Sequence, residues 1–526
     1  MLVLTCSVAR NTFTARFLQA WLPKRTIRLP SMELATIEDV GKIVRPALDR
    51  GILENIEDLN RNNPKDFMEA FLKKNTAFAI LSHRWSDDEL SFQDICKLSL
   101  VTPEAVTTFI QQCSKRSPQS TSTEVINKLV ELSGGSTPPS DGGPTMLHRL
   151  MDLCPHISEC TGLVKLIKFC DLAFEQHKCE LAWIDTCCIN KTSSAELDES
   201  IRSMFRWYRN SSICIVHLGS TKSWPPPSPD SFDLSSHDPW FSRGWTLQEL
   251  LAPRVVKFYG SKWKPCTTAS NDKSDQLVAS VTQARGLIHL YGNKTMVDML
   301  STITSIPTTE LLDFEPGLED VKLRLSWASQ RATTRIEDMA YCLLGLFNVS
   351  MPIAYGEGEV AFYRLQAAIM ERSNDRNLFL WTGRPSPYSS MLANGPECFK
   401  PRHGRSDNHA VHRDMDESHL EPTYTLTNNG LRIPVSLYNR DYTATWLDSL
   451  PEYQSTDQLD RFDRETQKQC RLAVLGHSAS GRPIHMLLFV RQFRDHVYYE
   501  RYTKWQPCAL YDADRKPGKP EIIFIK

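Results

Sequence analysis

The glutamate in the stretch WFSRGWTLQELLAP has the sequence surroundings expected of a catalytic residue. The spacing predicts a short helix, with Trp245 and Glu249 on the side opposite its leucines. Most glutamates on a helix face are solvated, so the alternative is that Glu249 is an ordinary surface residue. A carboxyl group beside an indole in a cleft is partly desolvated, and desolvation shifts its pKa toward values useful in catalysis. Glu249 is therefore the first candidate for a catalytic residue.

Other side chains capable of chemistry lie just after predicted strands or at the start of this helix. In an open parallel sheet, ligands bind at the carboxyl ends of the strands, so such residues are expected to gather at one edge. The predicted substrate-binding residues are His83, Arg84, Trp85, Asp185, Cys187 and Trp245. Their convergence on Glu249 is inferred from the order of the chain alone.

A thiol nucleophile is a different interpretation of the same region. Cys187 or Cys188 would attack, with His83 as the base and Asp185 orienting it. Buried free cysteines are common, and core packing is the plain alternative. The 15 cysteines show no CxxC pair and no zinc spacing, which favours reduced thiols and no metal site.

Strands and helices alternate between residues 77 and 260, which predicts an α/β fold with a mostly parallel sheet. The predicted strands AFAILS, LAWID, ICIVHL and VVKFYG are short, as in flavodoxin-like sheets. No GxGxxG follows a strand and no GxxxxGK[ST] occurs, so neither a Rossmann nucleotide site nor a P-loop is predicted.

Composition changes divide the chain further. The predicted divisions are a basic N-terminal extension (1–32), a helical lead-in (33–75), the α/β domain (76–382) with a low-complexity insertion (114–146), a linker (383–420) and a small β-rich C-terminal domain (421–526). The extension has arginines and no acid, which is typical of a mitochondrial transit peptide or of an ordinary basic tail.

The overall charge excludes some partners. The net charge of 526 residues is -1, which gives no electrostatic basis for binding nucleic acid. No run of about 18 apolar residues is present, so no transmembrane segment is predicted. We expect a cytoplasmic protein, with a mitochondrial one as the alternative.

Four ordered sequence blocks resemble the fungal HET (heterokaryon incompatibility) domain, over roughly residues 75–400. The blocks are AILSHRWSDDELSFQDI, LAWIDTCCINK with the following SIRSMFRWYRNSSICIVHL, WFSRGWTLQELLAP, and TTRIEDMAYCLLGLFNVSMPIAYGEGEVAFYRLQ. The resemblance implies that the α/β domain (76–382) is a HET domain, which acts in nonself recognition and triggers programmed cell death. It also implies partners among other incompatibility or nucleotide-binding oligomerisation proteins, and self-association on activation.

The segments FAILSHR, AWID, CIVHL and SRGWTLQEL are, more distantly, similar to the successive motifs of a TIR domain. This resemblance implies a TIR/flavodoxin-like sheet and cleavage of the nicotinamide–ribose bond of NAD, as a substrate and with no cofactor. The catalytic glutamate of that family corresponds to Glu249. The alternative is a non-enzymatic death-signalling or scaffold module that acts by self-association, with Glu249 as a structural residue.

Overall fold

The structure is a computed structural model. It describes residues 18–19, 21–29, 31–54, 64–113, 121–134, 143–222, 224, 237–274, 295–401, 423–449, 464–477, 483–493, 496–503, 508–509 and 520–526. These residues form two compact units, Met1–Phe314 and Glu315–Lys526. Most of the predicted N-terminal extension and the His- and Asp-rich part of the predicted linker lie outside the described residues.

A six-stranded sheet is the centre of the first unit. Its strands are β1 Arg25–Arg28, β2 Glu33–Thr36, β3 Phe78–His83, β4 Leu181–Trp183, β5 Ile213–His217 and β6 Val256–Tyr259. They lie in the order β2-β1-β4-β3-β5-β6. Strands β4, β3, β5 and β6 are parallel, and all residues of β3, β4 and β6 are buried. The four predicted strands and the mixed α/β class are thus confirmed.

The N-terminal hairpin β1–β2 was not predicted as part of the sheet. Strand β1 pairs antiparallel with β4, and Ile27 lies opposite Ala182 and is fully buried. The basic side chain of Arg25 forms an ion pair with Glu196, far along the chain. Arg25 and Arg28, two of the basic residues of the predicted extension, therefore lie at the ends of a short strand of the sheet.

Helices surround this sheet along the first unit. They are α1 Ile37–Glu54, α2 Pro64–Asn75, α3 Phe92–Leu98, α4 Pro103–Cys113, α5 Ser122–Ser133, α6 Gly143–Leu153, α7 Thr161–Asp171, α8 Asp185–Cys188, α9 Ser194–Asn210, α10 Thr246–Leu251, α11 Met296–Thr304 and α12 Thr308–Leu312. Helix α5 lies inside the predicted insertion, and a capping box of Thr121 and Glu124 begins it. Asp88 accepts hydrogen bonds from the backbone N–H groups of Ser122 and Gly162, so the loop after β3 ties α5 to α7.

The second unit begins with helices and ends in strands. Its helices are α13 Val321–Ala328, α14 Asp338–Tyr341, α15 Leu344–Phe347, α16 Val360–Met370, α17 Arg440–Ser449 and α18 Arg464–Lys468. Strands β7 Pro385–Ser386 and β8 Ser389–Ala393 form a two-stranded sheet where the sequence predicts the start of a linker. Met391, Leu392 and Ala393 are fully buried, so this part of the segment is packed structure.

The C-terminal region is rich in β-strands, as predicted. The strands are β9 Thr425–Thr427, β10 Gly430–Leu437, β11 Cys470–His477, β12 Pro483–Phe493, β13 His496–Arg501, β14 Cys508–Ala509 and β15 Pro520–Ile525. Pairings β10–β11, β11–β12, β12–β13, β13–β15 and β15–β10 close a ring of five strands. A turn before Gly430 joins β9 to β10, and Gly430 has a φ of 108°, which favours glycine. No described helix is both long and apolar enough to cross a membrane.

Candidate active site

Glu249 lies on the short helix α10, and its carboxyl group is buried at the end of the central strand β3. The predicted polar side of α10 does not meet water, because Gln248 and Glu249 are only 1% and 5% exposed. Glu249 Oε2 accepts a hydrogen bond of 2.5 Å from the Ser82 hydroxyl. The same hydroxyl accepts one of 2.8 Å from the indole N–H of Trp240. Two linked hydrogen bonds, from Trp240 to Ser82 and from Ser82 to Glu249, therefore fix the carboxyl group at the sheet edge.

The surroundings make Glu249 a weak acid. Burial raises the pKa of Glu249 to about 8, and the negative charge of Asp185 acts in the same direction. The Ser82 hydrogen bond, the positive charge of Arg243 and the Tyr208 hydroxyl oppose this shift only in part. The Glu249 carboxyl group is thus mainly protonated at neutral pH, and a cation placed beside it would favour its ionised form.

A more exposed group of side chains lies at the same edge, and we name Trp85, Asp185, Lys191 and Arg243 the rim cluster. The indole N–H of Trp85 donates a hydrogen bond of 2.8 Å to Asp185 Oδ2, and Trp85 is 42% exposed. Lys191 Nζ lies 3.7 Å from the centroid of the Trp85 ring, and Arg243 Cζ lies 5.8 Å from it. Since Asp185 and Arg243 both affect the pKa of Glu249, the rim cluster adjoins the buried carboxyl group.

His83 does not share the side of the sheet that carries Ser82. Successive residues of a strand point to opposite faces, so Ser82 faces Glu249 and His83 faces the other way. There His83 Nε2 lies 3.4 Å from Glu89 Oε2, and Lys165 forms an ion pair with Glu89. Burial alone would raise the pKa of Glu89, but the contacts of its carboxylate with His83 and Lys165 hold that pKa well below its usual range.

The remaining predicted site residues have different surroundings. Cys187 is buried, and its thiol donates to the Leu90 carbonyl at 3.4 Å. Burial raises the pKa values of the Cys187 and Cys188 thiols, that of Cys188 to about 12, which disfavours the thiolate that a nucleophile needs.

Arg84 is exposed, and Trp245 is half-buried at the residue before α10. Trp240, rather than Trp245, is the tryptophan hydrogen-bonded into the Glu249 chain.

Lys273 was not predicted as a site residue, yet it fixes the helix that carries Glu249. Its ammonium group donates to the carbonyl oxygens of Leu250, Leu251 and Pro253 at 3.1, 3.2 and 2.9 Å. These carbonyls end α10, and a cation at a helix C-terminus is favourable. Burial lowers the pKa of Lys273 to about 7. No local sequence pattern points to Lys273, because its partners lie about 20 residues away.

A second polar cluster, in the second unit, has a structural character. Glu337 accepts hydrogen bonds from the backbone N–H groups of Gly356 and Gly358, at 2.8 and 3.1 Å. Both glycines have positive φ, 100° and 60°. The Tyr355 hydroxyl donates to Asp338 at 2.8 Å. These bonds fix the loop YGEGE before α16.

No group of His, Cys, Asp or Glu among the described residues is arranged to hold a metal ion.

The fold and the site define an α/β protein with a buried carboxyl group at the carboxyl edge of a largely parallel sheet. Residues 163–236 match the family model "Heterokaryon incompatibility protein (HET)". The matched segment includes Asp185 and ends before Glu249. The resemblance to the HET domain that the sequence blocks predict is thus confirmed over residues 163–236.

One relative extends this comparison. The "Vegetative incompatibility protein HET-E-1" of Podospora anserina is 37% identical over 215 residues. The similarity covers 39% of this chain and 14% of that protein, so the chain corresponds to a small part of its relative. No solved structure matches the chain.

Proposed function

We propose that the protein acts in heterokaryon incompatibility, as a nonself-recognition effector that triggers the death of fused fungal cells. The HET match and the relative's role as a vegetative incompatibility protein support this function. Its partners would be other incompatibility or nucleotide-binding oligomerisation proteins, with self-association on activation. We place it in the cytoplasm rather than the mitochondrion, since transit-peptide cleavage after residue 32 would remove strand β1 from the sheet.

The chemistry that we propose is TIR-like cleavage of NAD at the nicotinamide–ribose bond. The observation that carries it is the buried Glu249 carboxyl group, bonded to Ser82 at the carboxyl end of β3. The four parallel strands lie in the sheet in the order β4-β3-β5-β6. Counted along the chain, this order is second, first, third and fourth. The same relative order occurs among the first four strands of flavodoxin-like sheets, in which ligands bind where the order reverses, and it supports a proposed site between β3 and β5. The order supports a substrate site beside Ser82 and Glu249.

The side chains suggest how the reaction would proceed. The positive nicotinamide ring would favour the ionised form of Glu249, which Ser82 and Trp240 hold in place. The carboxylate would stabilise the positive ribose carbon as the bond to nicotinamide breaks, with the electron pair leaving on nicotinamide. Water then bonds to that carbon and gives up a proton, which Glu249 can accept because its pKa is about 8. Of the residues predicted from the sequence, Asp185, Trp85 and Arg84 would bind substrate.

The non-enzymatic alternative also has an observation in its favour. Glu249 is only 5% exposed and already hydrogen-bonded, as expected of a structural group in a module that signals by self-association. Under that alternative, the burial of Glu249 serves packing, and its acidity plays no part in cell death.

Cell death and cellular NAD, measured together, separate these functions. Wild type, Glu249→Gln and the exposed control Glu180→Gln would be expressed at equal levels in a fungal host. Glutamine matches the shape of a protonated glutamate, so the Glu249→Gln variant should fold. We expect wild type and the control to deplete NAD and kill cells, and Glu249→Gln to do neither. Undiminished killing by folded Glu249→Gln would exclude the catalytic function and favour the scaffold.

A further inference from the structure

The rim cluster brings two cations to one exposed indole from separate parts of the chain. Trp85 follows β3, Lys191 follows α8, and Arg243 precedes α10. Lys191 Nζ, at 3.7 Å, is close enough to the Trp85 ring centroid for a cation–π contact. Residues from three loops therefore meet at the Trp85 ring.

Lys191 has a contact that a ligand can replace. Among the residues that the structure describes, Lys191 makes no ion pair with a carboxylate, and its side chain is exposed. A cation–π contact at an exposed position is weak, whereas a phosphate oxygen offers the ammonium a charge-assisted hydrogen bond. A phosphate would therefore draw Lys191 away from the ring and leave the indole face free to pack on the ligand.

Charges of both signs lie around Trp85 and Glu249. Asp185 and Glu249 supply carboxyl groups, and Asp185 Oδ1 is buried without a hydrogen-bond partner among the described residues. Lys191 and Arg243 supply cations beside the Trp85 ring. This combination is complementary to a zwitterion that carries a positive ring and a phosphate.

We propose that Lys191 and Arg243 form a phosphate-binding subsite, so that the site selects pyridinium ribonucleotides over the corresponding phosphate-free ribonucleosides. The inference rests on the proposed function, since it concerns the substrate of the same site. It assigns Trp85 the role of positioning Lys191 before the ligand arrives. Nicotinamide mononucleotide and nicotinamide riboside differ by one phosphate, which makes them matched probes.

Equilibrium binding to the Glu249→Gln protein tests the subsite without turnover. We expect nicotinamide mononucleotide to bind about tenfold more tightly than nicotinamide riboside, since one charge-assisted contact contributes about one decade. Adding Lys191→Met should abolish this preference and leave riboside binding unchanged, while Lys191→Arg should keep it. The exposed control Lys42→Met should change neither ligand's affinity. Equal affinities for the two ligands, or equal weakening of both by Lys191→Met, would overturn the subsite.

Turnover measurements distinguish failure of the subsite from failure of the proposed function. A Lys191-dependent preference for the mononucleotide in a protein that never releases nicotinamide would keep the subsite and exclude NAD cleavage. NAD cleavage whose KM is the same in wild type and Lys191→Met would keep the function and exclude the subsite. Absence of binding of either probe at millimolar concentration would also exclude the subsite.

Discussion

Replacing Glu249 by glutamine should flatten the pH dependence of the stability of the first unit. The Glu249 carboxyl group has an ordinary pKa of 4.5 in the unfolded chain and a pKa of about 8 when folded. Between these values the folded state holds a proton that the unfolded chain has released. The free energy of unfolding therefore falls as the pH rises through this window, and levels off above pH 8. Glutamine does not titrate, so the variant lacks this slope.

The expected size of the effect follows from the width of the window. Each pKa unit corresponds to about 1.4 kcal/mol. From about pH 5.5 to about pH 7.5, nearly the whole interval lies inside the window, so the contribution of Glu249 falls by about 2–3 kcal/mol. Over this interval, the unfolding free energy of wild type should therefore fall by this amount more than that of Glu249→Gln. Other groups titrate equally in both proteins, so their contributions cancel when the unfolding free energy of the variant is subtracted from that of wild type.

Hydrogen–deuterium exchange of peptides from β3 and β5 measures the opening of the first unit itself. The opening free energies of wild type, Glu249→Gln and the control Glu180→Gln would be compared across the pH window. The control should follow wild type throughout. Parallel profiles for wild type and Glu249→Gln would refute the conclusion that burial holds the proton on Glu249.

Four further substitutions or deletions test other parts of the structure. Lys273→Met removes an ammonium bonded to three carbonyls, and should lower the unfolding free energy of the first unit by about 2–4 kcal/mol in urea unfolding, whereas an unchanged value would contradict the cap. Gly162→Ala places a Cβ 1.9 Å from a backbone oxygen and should cost several kcal/mol, so a wild-type melting temperature would contradict the contact. Removing residues 1–32 takes away β1 with the buried Ile27, and should lower the melting temperature and cause aggregation through the exposed edge, measured by light scattering; a stable monomer would count against that role. Glu337→Gln weakens the bonds to two glycine N–H groups and should destabilise the second unit by about 1–2 kcal/mol in thermal unfolding, while no shift would argue against this anchor.

The parallel strands were predictable, because short apolar runs alternate with amphipathic helices and only a few topologies fit that order. Strand β1 was not predictable from its own residues. The segment RTIR is basic, and it joins the sheet because Arg25 meets Glu196 and Ile27 packs beside β4. Such partners lie too far along the chain for a local pattern to reveal them.

The proximity of the candidate site residues was predictable only in part. Glu249 and Asp185 lie near each other, and Trp85 bonds to Asp185, as chain order suggests. Chain order does not tell which face of β3 looks toward α10, so His83 was expected where Ser82 lies. The polar Ser82 inside an apolar run was the signal available for that choice. Lys273 gave no signal, since its role depends on folded proximity alone.

Release of nicotinamide from NAD by the purified protein tests the central claim most directly. The assay would follow free nicotinamide under conditions that promote self-association, with wild type, Glu249→Gln and Glu180→Gln at equal concentrations. Our account predicts release by wild type and by the Glu180→Gln control, and a rate at least about 10³-fold lower for folded Glu249→Gln. Equal release by Glu249→Gln and wild type, or no release by folded, self-associated wild type, would contradict it.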